Sequence, residues 1–195
     1  MPFTRFYNKT TLVKDLPLDD YEAMVDHFYL RYYGWFLEPI EDFPRTGHDA
    51  FVALISVCTM AAQIGGLLYP CSLFDSPEDN RTAEFATLLE HWFGDSFPVF
   101  VITEPSDALT DTGLAARFYK SVFNGSGSDP SVGISGTGVL HTRSDDGVDV
   151  IDPWVLRDKV KEAFEEWCCT AKKAYSEEGR ELYMQAFRTA AGLDN

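Results

Sequence analysis

The sequence predicts a mainly α protein: an antiparallel bundle of five or six helices with one small β-hairpin near residues 139–151. Three observations lead there. Apolar residues recur at three- and four-residue steps through several long stretches, the period of an amphipathic helix. One run, from His48 to Tyr69, is apolar around nearly its whole circumference, as a buried central helix would be. Two-residue alternation appears where VLHTR and VDVI flank SDDG, two short strands about an Asp-Gly turn.

Taken in order, residues 1–18 read as an extended arm, with Phe3, Phe6 and Tyr7 as anchors. Asp19, with Glu22 three residues on, resembles a capping box. Tyr21, Met24, Val25, Phe28, Tyr32, Trp35 and Phe36 then form one aromatic-rich stripe, ended before Pro39. His27 falls off this stripe and reads as a solvated helix histidine. The apolar run 48–69 follows, interrupted by Ser56, Thr59 and Gln63. No Lys/Arg cluster flanks it, so it is taken as the core helix of a bundle rather than a membrane span. Residues 70–77 connect it to a helix from about Asn80 to Phe93, whose stripe is Phe85, Leu88, Leu89, Trp92 and Phe93. His91 falls beside that stripe and reads as a surface residue.

FPVFVITEP (97–105) is too short for periodicity to separate strand from buried helix. A helix is expected over Thr112–Phe123, then a flexible Gly/Ser loop over 125–138, too polar to pack and too long for an ordinary connection. Its glycines match no phosphate-loop pattern. Asp152-Pro153 should cap the last long helix, proline suiting the first helical position. That helix carries Leu156, Val160, Phe164, Trp167, Ala171 and Ala174 inward. Gly179 marks a break before a terminal helix with Leu182, Tyr183, Ala186 and Phe187. No linker separates two domains, so 1–195 reads as a single helical domain.

Composition narrows the function. At 195 residues and 45% hydrophobic, the chain can bury one substantial core. Its formal charge of −15, with no basic run, makes direct nucleic-acid binding doubtful. The acidity serves solubility, or it serves a basic partner protein. Aromatic content of 14% exceeds what one core readily holds, which points to a homodimer interface. Cys58, Cys71, Cys168 and Cys169 lack CxxC spacing and a disulfide framework. Adjacent Cys168 and Cys169 point about 100° apart on a helix. The N-terminal residues lack the apolar core of a signal peptide, and the expected compartment is the cytoplasm. Four scattered histidines and the absence of HExxH offer no metal site, and no cofactor is expected. No GxSxG elbow supports a serine nucleophile.

One constellation remains: Arg117, Tyr119, Lys120, Asn124, His141 and Arg143. FYKSVFNG, joined past the loop to VLH, then a hairpin and an Asp-Pro-opened helix, resembles bacterial helical proteins related to the HEPN superfamily. Relatives carry FYK-x-V-R-x-G-L-L-H before a strand and a helix opened by Asn-Pro. The likeness covers about residues 114–170. It implies a helical, commonly dimeric fold. It also implies either metal-independent ribonuclease chemistry through R-x(4–6)-H or, in inactive members, a binding or regulatory role in defence systems. On that reading His141, Arg143 and Arg117 are the catalytic candidates, while Tyr119, Lys120 and Asn124 are binding candidates. Phe123 stands where the motif has arginine, and the Gly/Ser loop separates it from His141. The expectation is therefore a module whose nuclease activity is lost, with an acidic interaction protein as the alternative.

Overall fold

The computed structural model describes residues 5–45, 47–93, 132–134, 136–143, 145–146, 149–174 and 176–193. Among these the protein is mainly helical, with five helices: α1 (Tyr21–Tyr32), α2 (Gly47–Leu68), α3 (Pro77–Phe93), α4 (Pro153–Lys172) and α5 (Glu177–Ala191). The 97–105 run, the helix expected over 112–123 and most of the 125–138 loop lie outside the described residues.

The arm before α1 is folded rather than simply extended. Phe6 pairs with Leu12 in an antiparallel bridge, and Val13–Asp15 makes one 3-10 turn. Of the expected anchors, Tyr7 is fully buried whereas Phe6 is half-exposed. The Asn8 side chain closes the arm's turn by accepting from the Thr10 and Thr11 amides. Arg5 Nη2 donates to Ala191 O at 2.7 Å, capping the far end of α5. His27 is half-buried, its Nδ1 within 3.2 Å of Asn8 Nδ2, so it is a packed residue and not a solvated one.

The N-cap of α1 falls one residue later than the capping box predicts: Asp20 accepts from the Ala23 amide at 3.1 Å. At its other end the helix does not stop before Pro39. It widens into a π turn over Tyr33–Leu37 and tightens to 3-10 over Glu38–Ile40. An i→i+5 turn adds one residue to the repeat. Leu37 therefore takes the inner position under Tyr32, and Trp35, expected on the stripe, is 50% exposed. Ser56, one of the polar interruptions in α2, donates to Phe36 O at 2.6 Å and satisfies that carbonyl in the widened segment.

Helix α2 is the hub, packed against α3, α4 and α5 and against the π turn. Residues Asp49–Leu68 are long and apolar enough to cross a membrane, with mean hydropathy 2.0, and 44% of that window is buried inside the fold. Ala53, Leu54, Val57, Met60, Ala61 and Ile64 face the core, while Phe51, Val52 and Ile55 are exposed. Gly65 decides how closely α3 can come: a Cβ there would lie 2.5 Å from Glu84 O. Helix α3 starts at Pro77 and buries Phe85, Leu88, Leu89 and Phe93, close to the expected stripe. His91 is exposed and stacks on Tyr69 at 4.6 Å.

Within the core, one aromatic cluster joins α1, α4 and α5. Phe28 lies 4.7 Å from both Tyr32 and Phe187, 5.7 Å from Trp167 and 6.2 Å from Phe164, centroid to centroid. Such tilted pairs add about 0.5–1.5 kcal/mol each beyond their burial. Tyr21 OH donates to Ala171 O at 2.7 Å and fastens the start of α1 to the end of α4. The break before α5 lies at Ser176, not Gly179: Ser176 caps the helix and Gly179 sits in its first turn. Of the apolar residues on this helix, Leu182 is exposed, while Ala186 and Phe187 are buried. All four cysteines are free; Cys168 is buried and its neighbour Cys169 exposed, as a 100° step on α4 requires.

Where the sequence suggests a two-stranded hairpin, the structure has a three-stranded sheet. Its strands are β1 (Val132–Ile134), β2 (His141–Arg143) and β3 (Asp149–Ile151), in the order β1-β3-β2. Helix-poor alternation was legible only for β2 and β3, which pair antiparallel. Strand β1 lies within the stretch read as a polar loop and pairs parallel with β3. A single Val-Gly-Ile triplet among glycines and serines is too short to show alternation, yet it suffices once a partner strand exists.

Candidate functional site

The candidate site is the corner where the sheet meets the N-terminus of α4, and Asp152 builds it. Its Oδ1 accepts from the amides of Trp154 (2.9 Å) and Val155 (3.2 Å), capping the helix, with Pro153 at the first helical position. Its Oδ2 accepts from the Gly138 amide at 2.8 Å. Gly138 has φ +72°, the left-handed region that suits glycine. The Asp152 amide in turn donates to Leu140 O at 3.2 Å. One 3%-exposed carboxylate thus clamps the approach to β2 onto the start of α4.

This clamp places the backbone of His141 opposite Ile151 and that of Arg143 opposite Asp149, two positions apart on β2. Arg117, Tyr119, Lys120 and Asn124 lie outside the described residues, so the constellation is represented here by the backbones of His141 and Arg143. Ile151 and Trp154 anchor the corner in the core. Arg157 lies 5.3 Å over the Trp154 ring, donates to Ile40 O and pairs with Asp158 at 2.6 Å. Its guanidinium is thereby used in fastening α4 to the end of the α1 extension.

A cavity of about 360 Å³ opens beside the corner, lined by Leu140, Trp92, Ala163, Lys159, Glu162 and Glu166. Lys159 Nζ is paired with Glu162 Oε2 at 3.0 Å. That leaves Glu166 as surplus negative charge among these residues, an environment that repels a phosphate. The Trp92 indole N–H is buried without a hydrogen-bond partner among the described residues. No group of three or more His, Cys, Asp or Glu that could hold a metal ion occurs among the described residues.

Electrostatics elsewhere follow burial and exposed pairing. Burial pushes the phenol of Tyr32 up to about 12, against the lowering effect of Arg31. Tyr21 is likewise pushed up to about 12. Burial also raises the thiols of Cys58 and Cys168, keeping them protonated. The hydrogen bond from Lys161 lowers the Glu41 carboxyl and raises the Lys161 ammonium, a 2.8 Å pair that joins α4 to the turn after the α1 extension.

Sequence reasoning passed over three charged residues that share another cleft: Arg31, Arg81 and Glu84. Their only sequence signal is that Arg81 and Glu84 are three apart on α3 and so share a face. Comparison of the chain with protein-family models, with curated proteins and with solved structures gives no match. The corner and the clefts must therefore be read on their own chemistry.

Proposed function

We propose that this chain is a HEPN-like helical module of a bacterial defence or stress system, its nuclease activity lost, acting by binding or regulation. The observation that carries this reading is the strand–Asp–Pro–helix corner, which holds the His141 backbone at a defined place on a helical scaffold. Phe123, where the resembling motif has arginine, removes the cation that would share a phosphate with the histidine. The carboxylates beside Leu140 favour the same conclusion, since they oppose approach of an RNA backbone. The helices run antiparallel in this reading. The protein is a cytoplasmic homodimer whose interface uses exposed apolar residues such as Phe51, Val52 and Ile55.

The test is incubation of the purified protein with single-stranded RNA in EDTA. No appreciable cleavage is expected, and His141→Ala should change nothing. Robust cleavage abolished by both His141→Ala and Arg143→Ala would overturn the reading, because Arg143 would then have replaced the missing arginine.

A second reading rests on the charge of −15: an acidic protein that occupies a basic, nucleic-acid-binding partner. Pull-down from the native host separates the two. Recovery of basic nucleic-acid proteins, released by salt, favours the second reading, and a dedicated cognate regulator favours the first.

A further inference from the structure

We propose that the cleft bounded by α1, α2, α3 and the end of α5 binds a free α-amino acid with an apolar side chain. The cavity measures about 500 Å³, within the range of small-molecule sites and ample for such a ligand. It lies away from the Asp152 corner and shares no lining residue with the cavity there.

Charge selects the ligand. In a chain of net charge −15, two arginines, Arg31 and Arg81, line this one cleft together with Glu84. Arg31 is held in place: it donates to Tyr7 O and lies 5.1 Å over the Tyr7 ring and 6.0 Å over that of Tyr32. Glu84 is held too, its Oε1 accepting from the Cys71 amide at 2.9 Å. Its Oε2 stands where a Cβ on Gly66 would come within 3.0 Å, so the glycine leaves room for it. Arg81 and Glu84 are three residues apart on α3, yet no ion pair joins them, and among the described residues Arg81 has no ion-pair partner.

Two opposite charges in one cleft, with no ion pair between them among the described residues, match a ligand that carries both. On a helix, side chains at i and i+3 have Cβ atoms about 5–6 Å apart, a spacing suited to the adjoining carboxylate and ammonium of an α-amino acid. The carboxylate takes the guanidinium fork of Arg81, reinforced by Arg31, and the ammonium takes Glu84 Oε2. Thr59 and Gln63 supply further hydrogen-bonding groups, and Ala62, Leu67 and Ala190 give an apolar wall for the side chain. A simple carboxylate would leave Glu84 without a cation, and a simple amine would leave Arg81 without an anion.

The experiment is calorimetric titration of the full chain with leucine, its deaminated acid and its decarboxylated amine, with backbone amide shifts followed in parallel. Leucine should bind at least about tenfold tighter than either analogue, the equivalent of about 1.4 kcal/mol. The Gly66 and Thr59 amides should shift on addition. Arg81→Ala, at an exposed position, should lose that binding without lowering the melting temperature. Glu84→Gln should bring leucine and its deaminated acid to equal affinity. The proposal is overturned by absence of saturable binding up to about 10 mM, well above the millimolar affinity that corresponds to about −4 kcal/mol. It is equally overturned if the acid binds as tightly as leucine, if the shifts map elsewhere, or if Arg81→Ala binds like the parent chain.

Discussion

Asp152 and Gly138 are joined by a 2.8 Å hydrogen bond from the glycine amide to the aspartate Oδ2, while Oδ1 of the same carboxylate caps α4. One buried side chain therefore couples a loop, a strand start and a helix start. Substituting Asp152→Ala removes the cap and the acceptor of the exposed Gly138 amide. The cost should exceed an ordinary N-cap loss of about 1 kcal/mol and reach about 2 kcal/mol. Asp152→Asn, which keeps an acceptor, should cost clearly less. Urea unfolding of the two variants decides this, and a loss under about 0.5 kcal/mol for alanine would refute the shared role.

The contact between α2 and α3 depends on Gly65. A Cβ at this position would lie 2.5 Å from Glu84 O and 2.9 Å from its carbonyl carbon, so backbone would have to move. Gly65→Ala should destabilise by about 1–3 kcal/mol despite alanine's better helix propensity. Gly66→Ala meets only the Glu84 side chain and should be milder. Equal melting temperatures for the two variants would contradict this close approach.

High pH should unfold the protein through its tyrosines. Burial raises Tyr21 and Tyr32 from 10.0 to about 12, and it raises Tyr7 and Tyr29 as well. The folded state thus holds protons that the unfolded chain gives up near pH 10. That contribution is fully present below pH 10 and is lost as pH rises toward 12. Tyrosinate absorbance and helical circular dichroism should change together in this window. Ionisation of all tyrosines near pH 10 with the helices intact would rule it out.

Thiol chemistry should divide the cysteines. Cys169 is exposed and Cys71 half-exposed, whereas Cys58 and Cys168 are buried and their thiols raised. At about pH 8 an aromatic disulfide reagent should reach and modify the accessible Cys71 and Cys169 promptly. Cys58 and Cys168 should follow only on unfolding. Mass spectrometry of the native protein after brief labelling checks this, and early modification of Cys58 would show that α2 opens readily.

The helices of this protein were legible because their signals are local. The Phe85–Phe93 stripe, the Asp152-Pro153 start and the inward run Leu156–Val160–Phe164 depend on neighbours within four residues, which any sequence displays. Alternation marked the residues of β2 and β3, but the expected two-stranded hairpin is not what forms, since β3 lies between β1 and β2. Of the candidate site it gave a list: His141 and Arg143 fall on β2, while Arg117, Tyr119, Lys120 and Asn124 lie outside the described residues.

Other features required the fold. The π turn that carries Trp35 outward and Leu37 inward answers to the packing of α2 and Ser56, not to any periodicity in YGWFL. Strand β1 exists because β3 offers it an edge. Arg31, Arg81 and Glu84 come from two helices, with about fifty residues between Arg31 and Arg81, and only packing of α1 and α3 around α2 puts them on one cleft. Local propensity acts through the backbone of a few adjacent residues. Which distant side chains share a cavity depends on the way buried surfaces fit, and that is decided when the whole core closes.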